Sequence, residues 1–342
     1  MKVGVVGVGR LGSLLARALA AHPAVDGLVL AGGGSDRAET LAAELGQRAA
    51  ASARDAFEAT DAAVIAAPTS AHLELIVAAA AAGLPVFCEK PIALDLRDTD
   101  AAIEAVERAG VPMQVGFQRR FDAGYMRARR LVRSGALGDV YLLRTASHDP
   151  RPSPASFVAA SGDLFVDLLI HDFDAMRFVT DQEIEEVHAT GEASFAAFDV
   201  YRERGDFGVG AAVARMSGGA AGVLTGARHN PDGHDVRMEV FGSRGAVAVG
   251  AGERSPLRPV ETAGESPPAG PPLAEPYRDF LDRFAPAYRA EMDAFVGLAL
   301  GESPNPCPPT EARSAFVAAL AASRSATENR PVALSELGRP TA

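Results

Sequence analysis

The chain reads as an α/β protein of two domains: a doubly wound parallel sheet, then a domain of mostly antiparallel strands. Three observations predict this. A Gly-x-Gly-x-x-Gly run, Gly7 to Gly12, sits between a short β-branched segment and a helix-period segment. Apolar strand-like runs then alternate with helical ones to about residue 117. Beyond residue 200 the pattern changes to period-two runs joined by short turns. At 342 residues the chain is comfortable for two domains, expected at 1–118 and 119–342.

Bulk properties narrow the function. Hydrophobic residues make up 48%, enough for two cores, and Gly, Pro and polar residues interrupt every long apolar run. The N-terminus enters a strand at once, without a signal-peptide pattern. Two cysteines, Cys88 and Cys307, are too few for a disulfide framework and lack metal spacing, so no metal is expected and a reducing, cytoplasmic setting is. A formal charge of −11 argues against nucleic acid. The cluster Arg127, Arg129, Arg130 and Arg133 reads as a solvated helix face.

In chain order, Lys2–Val6 is the first strand, and Gly7-Val8-Gly9-Arg10-Leu11-Gly12 follows it directly. Leu11, Leu14, Leu15 and Leu19 then take helical spacing. The glycines permit a tight turn and let a pyrophosphate reach the helix N-terminus, so this is a dinucleotide site. A second strand, Gly27–Ala31, should end at the residue that selects the adenosine ribose, where an acid favours NAD. Here Gly32-Gly33-Gly34-Ser35-Asp36-Arg37 offers no acid at that place. Ser35 and Arg37 are candidates for a 2′-phosphate and Asp36 for a 2′-hydroxyl, or Ser35 and Asp36 simply cap a helix over 37–45. Cofactor choice, NAD or NADP, stays open on these residues. The strand 62–66 leads into Ala67-Pro68-Thr69 and His72, where the nicotinamide half is expected; His72 is a cofactor candidate, though taken alone a structural role is favoured for it. A strand over 85–88 ends at Glu89-Lys90-Pro91, placing Lys90 at the crevice end of a parallel sheet. A helix over 100–108 and a strand over 112–117 complete the domain.

The stretch 161–178, SGDLFVDLLIHDFDAMRF, supplies the chemistry. At about 100° per residue, Asp163, Asp167, His171 and Asp174 form one polar stripe, opposite Phe165, Leu168, Leu169, Phe173 and Met176. Asp167 lies four residues before His171, so its carboxylate can fix the imidazole and steady it once protonated. An ion pair on a solvated helix face is the plainer reading of the same residues. Asp172 falls on the apolar side and reads as structural. A strand over 137–147 leads to His148-Asp149-Pro150, and strands over 208–216, 220–226, 237–242 and 246–250 follow. Residues 252–276 read as a loop, 277–300 as a helix broken at Pro286, 310–329 as a helix capped by Thr310, and 331–334 as a closing strand.

These residues together resemble the glucose–fructose oxidoreductase and inositol dehydrogenase family, most of all its inositol 2-dehydrogenase branch. The motifs are Gly7–Gly12, Glu89-Lys90-Pro91, the 116–122 run GFQRRFD, and Ser161-Gly162 through Ile170-His171-Asp172-Phe173-Asp174. The resemblance covers nearly the whole chain. It implies a Rossmann domain and an α/β domain with an open sheet that serves as an oligomer face, hence a dimer or tetramer. It matches Lys90, Asp167 and His171 to the catalytic set, and Arg119 and His148 to polyol contacts, with Gln118 and Glu89 in the same motifs at substrate and cofactor. It also implies a cis peptide before Pro91. The branch usually carries Gly-Tyr-Asp where this chain has Gly233-His234-Asp235, so His234 becomes a substrate candidate and the identity of the polyol stays open.

The expected activity is NAD(P)-dependent oxidation of a secondary hydroxyl on a cyclitol or sugar, with NAD favoured. His171 takes the hydroxyl proton, Asp167 orients His171, and Lys90 donates to the reacting oxygen. Two other readings share the fold: an NAD-dependent glycosidase, and a sugar- or cofactor-sensing regulator without catalysis. Reduced cofactor released from free cyclitols marks the first reading; hydrolysis without net reduction marks the second.

Overall fold

The computed structural model describes residues 1–32, 36–257 and 274–338. It divides into two compact units, Met1–Phe121 with Pro286–Ser314, and Asp122–Ala285 with Ala315–Ala342.

In the first unit β1 (Lys2–Val6), α1 (Arg10–Ala20), β2 (Gly27–Ala31), α2 (Arg37–Leu45), β3 (Arg48–Ala49), α3 (Ala53–Glu58) and β4 (Ala62–Ile65) alternate as the sequence predicts, with β3 and α3 added. They are followed by α4 (His72–Ala81), β5 (Val86–Glu89), α5 (Leu96–Ala109) and β6 (Met113–Gly116). The sheet order is β3-β2-β1-β4-β5-β6 and every pair is parallel. The order reverses beside β1, the switch point at which such sheets bind ligands. Strands β1, β4 and β5 are buried almost throughout, as a sheet covered on both faces requires. Asp95 caps α5 by accepting from the Asp98 N–H, which starts the helix four residues before the expected Asp100.

Residues 286–314 group with this unit for identifiable reasons, so one cut at 118/119 does not describe the units. Phe295 packs edge-on against Phe87 of β5 at 5.7 Å. The Cys307 carbonyl accepts from the Val115 N–H at the edge strand, and Asn305 donates to the Met113 carbonyl at 2.6 Å. Arg313 pairs with Asp100.

The second unit contains α6 (Ala123–Arg133), β7 (Val140–His148), the short α7 (Ala155–Val158), a π-helical turn (Phe165–Leu169) running into α8 (Ile170–Thr180), and β8 (Ile184–Glu192). Then come α9 (Asp199–Arg202), β9 (Val209–Met216), β10 (Ala221–Ala227), β11 (Asp235–Gly242) and β12 (Gly245–Val249). The helices α10 (Phe280–Ala299) and α11 (Pro309–Glu328) are divided between the units, and β13 (Val332–Ala333) closes the sheet against β8. The seven strands lie in the order β12-β11-β7-β10-β9-β8-β13; β7 and β10 are parallel and the other pairs antiparallel.

One face of this sheet is cut to receive the 165–180 helix. A Cβ on Gly222 would stand 2.7 Å from Met176 Sδ, and one on Gly226 would stand 3.1 Å from the Leu169 side chain. The helix therefore lies close on the strands, and Phe165, Leu169, Phe173 and Met176 are fully buried. Each contributes about 1.5–3 kcal/mol by leaving water.

Three expectations change here. The helix 165–180 is not amphipathic: Asp172 and Asp174 are as buried as their apolar neighbours, because α6 covers the side away from the sheet. Pro286 does not break α10. The helix continues through it, with Phe284, Ala287, Tyr288 and Met292 buried on both sides, although the boundary between units falls at that residue. Thr310 does not cap α11, since Pro309 already occupies its first turn.

Candidate active site

In the first unit the Gly7–Gly12 turn links β1 to α1. Gly7 has φ +96°, and a Cβ there would sit 2.4 Å from the Ala67 nitrogen. A Cβ on Gly12 would lie 1.8 Å from the Gly7 carbonyl oxygen, so α1 packs against the turn only with glycine at this place. Gly9 is different. It is exposed, has nothing within 4 Å of its Cβ position, and begins α1 without a side-chain cap or a first-turn acid. An uncapped helix N-terminus with open space beside Gly9 fits a dinucleotide pyrophosphate. Val8 and Gly12 are buried, whereas Arg10 is exposed and Leu11 partly so. Gly32 has φ +79°, with its Cβ position 3.5 Å from the Gly7 nitrogen, which accounts for glycine where relatives of this fold place an acid. Ser35 lies outside the described residues. Asp36 precedes α2 but makes no side-chain cap bond, and Arg37 is exposed.

His72 is buried, and its two ring nitrogens lie 2.9 Å from the Pro91 and Ala67 carbonyl oxygens. It ties the Ala67-Pro68-Thr69 turn to the Glu89-Lys90-Pro91 turn, which favours the structural reading over direct cofactor contact. Burial lowers its pKa, with the backbone bonds opposing. The Lys90–Pro91 peptide is cis, as the resemblance implies, and Lys90 is half-buried at the crevice end of β5. Glu89 faces the interior, 8% exposed, and burial pushes its carboxyl up to about 7. Gln118 and Arg119, expected at the substrate, lie buried in the turn after β6.

In the second unit Asp163 accepts from the Phe165 and Val166 N–H groups at 3.0 Å, so this member of the stripe caps the helix. Asp167 Oδ2 accepts from Arg228 Nη1 at 2.5 Å. Arg228, just past β10, is 1% exposed, reaches Asp206 at 3.5 Å and lies 5.0 Å over the Tyr201 ring. Burial works against the Arg228 cation, and Asp167 and Asp206 more than offset it, so its pKa rises. Burial is also the main reason the Asp206 carboxyl is raised. Asp172 accepts from Ser147 Oγ at 2.7 Å, the structural role expected for it. His171 is the second residue of α8, one turn beyond Asp167.

The topology brings further imidazoles to one sheet end. His148 ends β7, parallel to β10, and pairs in register with Asp235, the first residue of β11. His148 Nδ1 stands 3.7 Å from Asp235, and His234 Nδ1 stands 3.6 Å from Asp149. Burial pushes the His148 imidazole down, with Asp235 opposing. His234, offered for substrate, is itself 3% exposed. Sequence reading missed Arg228, Asp206 and Asp235. The only signal for them was a charged residue at a strand end, which surface loops share. Among the described residues no group of three or more His, Cys, Asp or Glu is arranged to hold a metal ion.

Residues 1–117 match the oxidoreductase family with an NAD-binding Rossmann fold, and residues 125–248 match the GFO/IDH/MocA C-terminal domain. The chain belongs to the GFO/IDH/MocA oxidoreductase family. It is 41% identical to the myo-inositol dehydrogenase Hyg17 of Streptomyces leeuwenhoekii, over 97% of this chain and 100% of the relative. The myo-inositol dehydrogenase structure from Corynebacterium glutamicum superposes with a TM-score of 0.86 at 33% identity, covering 98% of each chain. The scyllo-inositol dehydrogenase from Lactobacillus casei, solved with NAD(H) and scyllo-inositol, gives 0.86 at 30% identity, over 98% of this chain and 99% of that one. As a GFO/IDH/MocA member, the protein is an NAD-dependent oxidoreductase.

Proposed function

We propose that this protein oxidises a secondary hydroxyl of a cyclitol to the ketone. The observation that carries the reading is near end-to-end likeness to dehydrogenases of myo- and scyllo-inositol, one solved with NAD(H) and its polyol. NAD held by its pyrophosphate at the Gly7–Gly12 turn would supply the acceptor for the hydride that leaves the carbinol carbon. His171 accepts the hydroxyl proton. Asp167, held by Arg228, orients the imidazole and supports its positive charge once protonated. Lys90 donates to the reacting oxygen and stabilises its developing negative charge. His148 and its Asp235 partner select the polyol, because a site built to pair hydroxyls rejects analogues that lack them. We assign the second unit to substrate binding and, through the outer face of its sheet, to assembly as a dimer or tetramer. Val213 stands more than half exposed there, in register with Val223 and Arg144. The two cysteines are free and buried, in keeping with a cytoplasmic enzyme. A screen of cyclitols, inosamines and aldoses against NAD and NADP tests the reading. Reduced cofactor should appear with at least one cyclitol, whereas hydrolysis of an aryl glycoside without net reduction would assign the glycosidase reading instead.

A further inference from the structure

Two parts of the second unit that carry the proposed chemistry meet at Tyr201. The segment leaving β7 starts at His148 and runs Asp149-Pro150-Arg151-Pro152-Ser153-Pro154 into α7. Proline has no N–H, so between residues 150 and 154 the backbone donors are those of Arg151 and Ser153. The foot of the segment is pinned to its neighbours: the Asp149 N–H donates to the Ala227 carbonyl at 2.8 Å, and the Asp149 carbonyl accepts from the Asn230 N–H at 2.7 Å. The far end is held by a side chain, since the Ser153 N–H donates to the Tyr201 hydroxyl oxygen at 2.8 Å. Tyr201, in α9, is fully buried in a small core with Val158, Ala193 and Phe198. A buried hydroxyl without a hydrogen bond costs free energy, so packing alone does not account for tyrosine rather than phenylalanine here.

The ring of the same residue lies 5.0 Å from the Arg228 guanidinium, and Arg228 holds Asp167. Asp206 strengthens this side. Its N–H donates to the Tyr201 carbonyl, one carboxylate oxygen accepts from the Leu164 N–H at 2.9 Å, just before the turn that carries Asp167, and the other faces Arg228 at 3.5 Å. We propose that Tyr201 is a positioning residue that fixes the 149–154 segment, and through it His148, relative to Arg228 and Asp167, a role that rests on His148 selecting the polyol as assigned above. The hydroxyl holds the segment and the ring holds Arg228, so the two tasks can be separated. Removing the hydroxyl loosens the polyol-selecting side while Asp167 keeps its support. Polyol binding is therefore the step that suffers, and turnover of polyol already seated is spared.

Tyr201→Phe keeps the ring under Arg228 and removes the acceptor. Hydrogen exchange on the full chain should then run roughly fivefold faster in peptides over 151–158, the effect of one lost hydrogen bond, with 165–180 unchanged. With the cyclitol that the screen selects, KM should rise by about the same factor while kcat and NAD affinity stay native, the signature of lost substrate binding. Ser153→Pro removes the donor of the same bond and should raise KM likewise. The double variant should be no worse than either single one, because both delete one interaction. Native exchange in Tyr201→Phe overturns the tie between Tyr201 and the segment. Faster exchange with native KM, a fall in kcat instead of a rise in KM, or a double variant whose losses multiply overturns its role in polyol binding. If wild type oxidises no cyclitol, the exchange result still decides the tie, and the fault lies with the proposed reaction.

Discussion

At the scale of single residues, the candidate site is held by one buried cation. Arg228 meets Asp167 and Asp206 with its guanidinium over Tyr201, so it sets where the Asp167 carboxylate points. Removing one partner of a buried pair leaves charge uncompensated and costs about 3–5 kcal/mol, so Arg228→Ala should lower Tm clearly. Arg228→Lys keeps the charge but loses the planar fork. It should fold, hold NAD at native affinity, and lose roughly tenfold in kcat/KM, about 1.4 kcal/mol of transition-state stabilisation. An Arg228→Lys enzyme with native kcat/KM would remove Arg228 from the positioning of Asp167. Lys90, Asp167 and His171 were legible as candidates because their motifs are local. Arg228 was not, since its partners lie 61 and 22 residues away in sequence and only the fold joins them.

At the scale of elements, the Gly7–Gly12 turn separates packing from ligand approach. Gly12→Ala places a methyl against the Gly7 carbonyl and should reduce both Tm and NAD affinity. Gly9→Ala adds a methyl in open space at an extended backbone, so Tm should hold while NAD affinity falls about tenfold, or 1.4 kcal/mol. Calorimetric titration with thermal melts reads both, and unchanged NAD affinity in Gly9→Ala would move the pyrophosphate elsewhere. The elements themselves were largely legible: β2 and α2 lie where predicted, and most other ends shift by only a residue or two. The exceptions share a cause. A 3.6-residue period cannot show the π-helical turn at 165–169, and it cannot show that α8 is covered on both sides. Pro286 likewise looks like a break from sequence, yet the packing of α10 carries the helix through it.

At the scale of the whole molecule, the two-domain plan was legible but the sharing of α10 and α11 between units was not. The contacts that bring 286–314 to the first unit are long-range ones, such as Phe295 with Phe87. Assembly belongs to this scale as well. Light scattering at micromolar concentration should give a dimer or tetramer, and Val213→Lys on the exposed face of β9 should weaken it; a wild-type monomer would contradict the assigned interface. The central claim is hydride removal from a cyclitol by Lys90, Asp167 and His171 acting together. Its most direct measurement is NADH production from the cyclitol that the screen selects, by wild type, His171→Ala and Lys90→Ala side by side. Both variants should fold and bind NAD, with His171→Ala down roughly 10²–10⁴-fold, the usual cost of losing a general base, and Lys90→Ala also crippled. Near-native turnover in both variants would contradict the site.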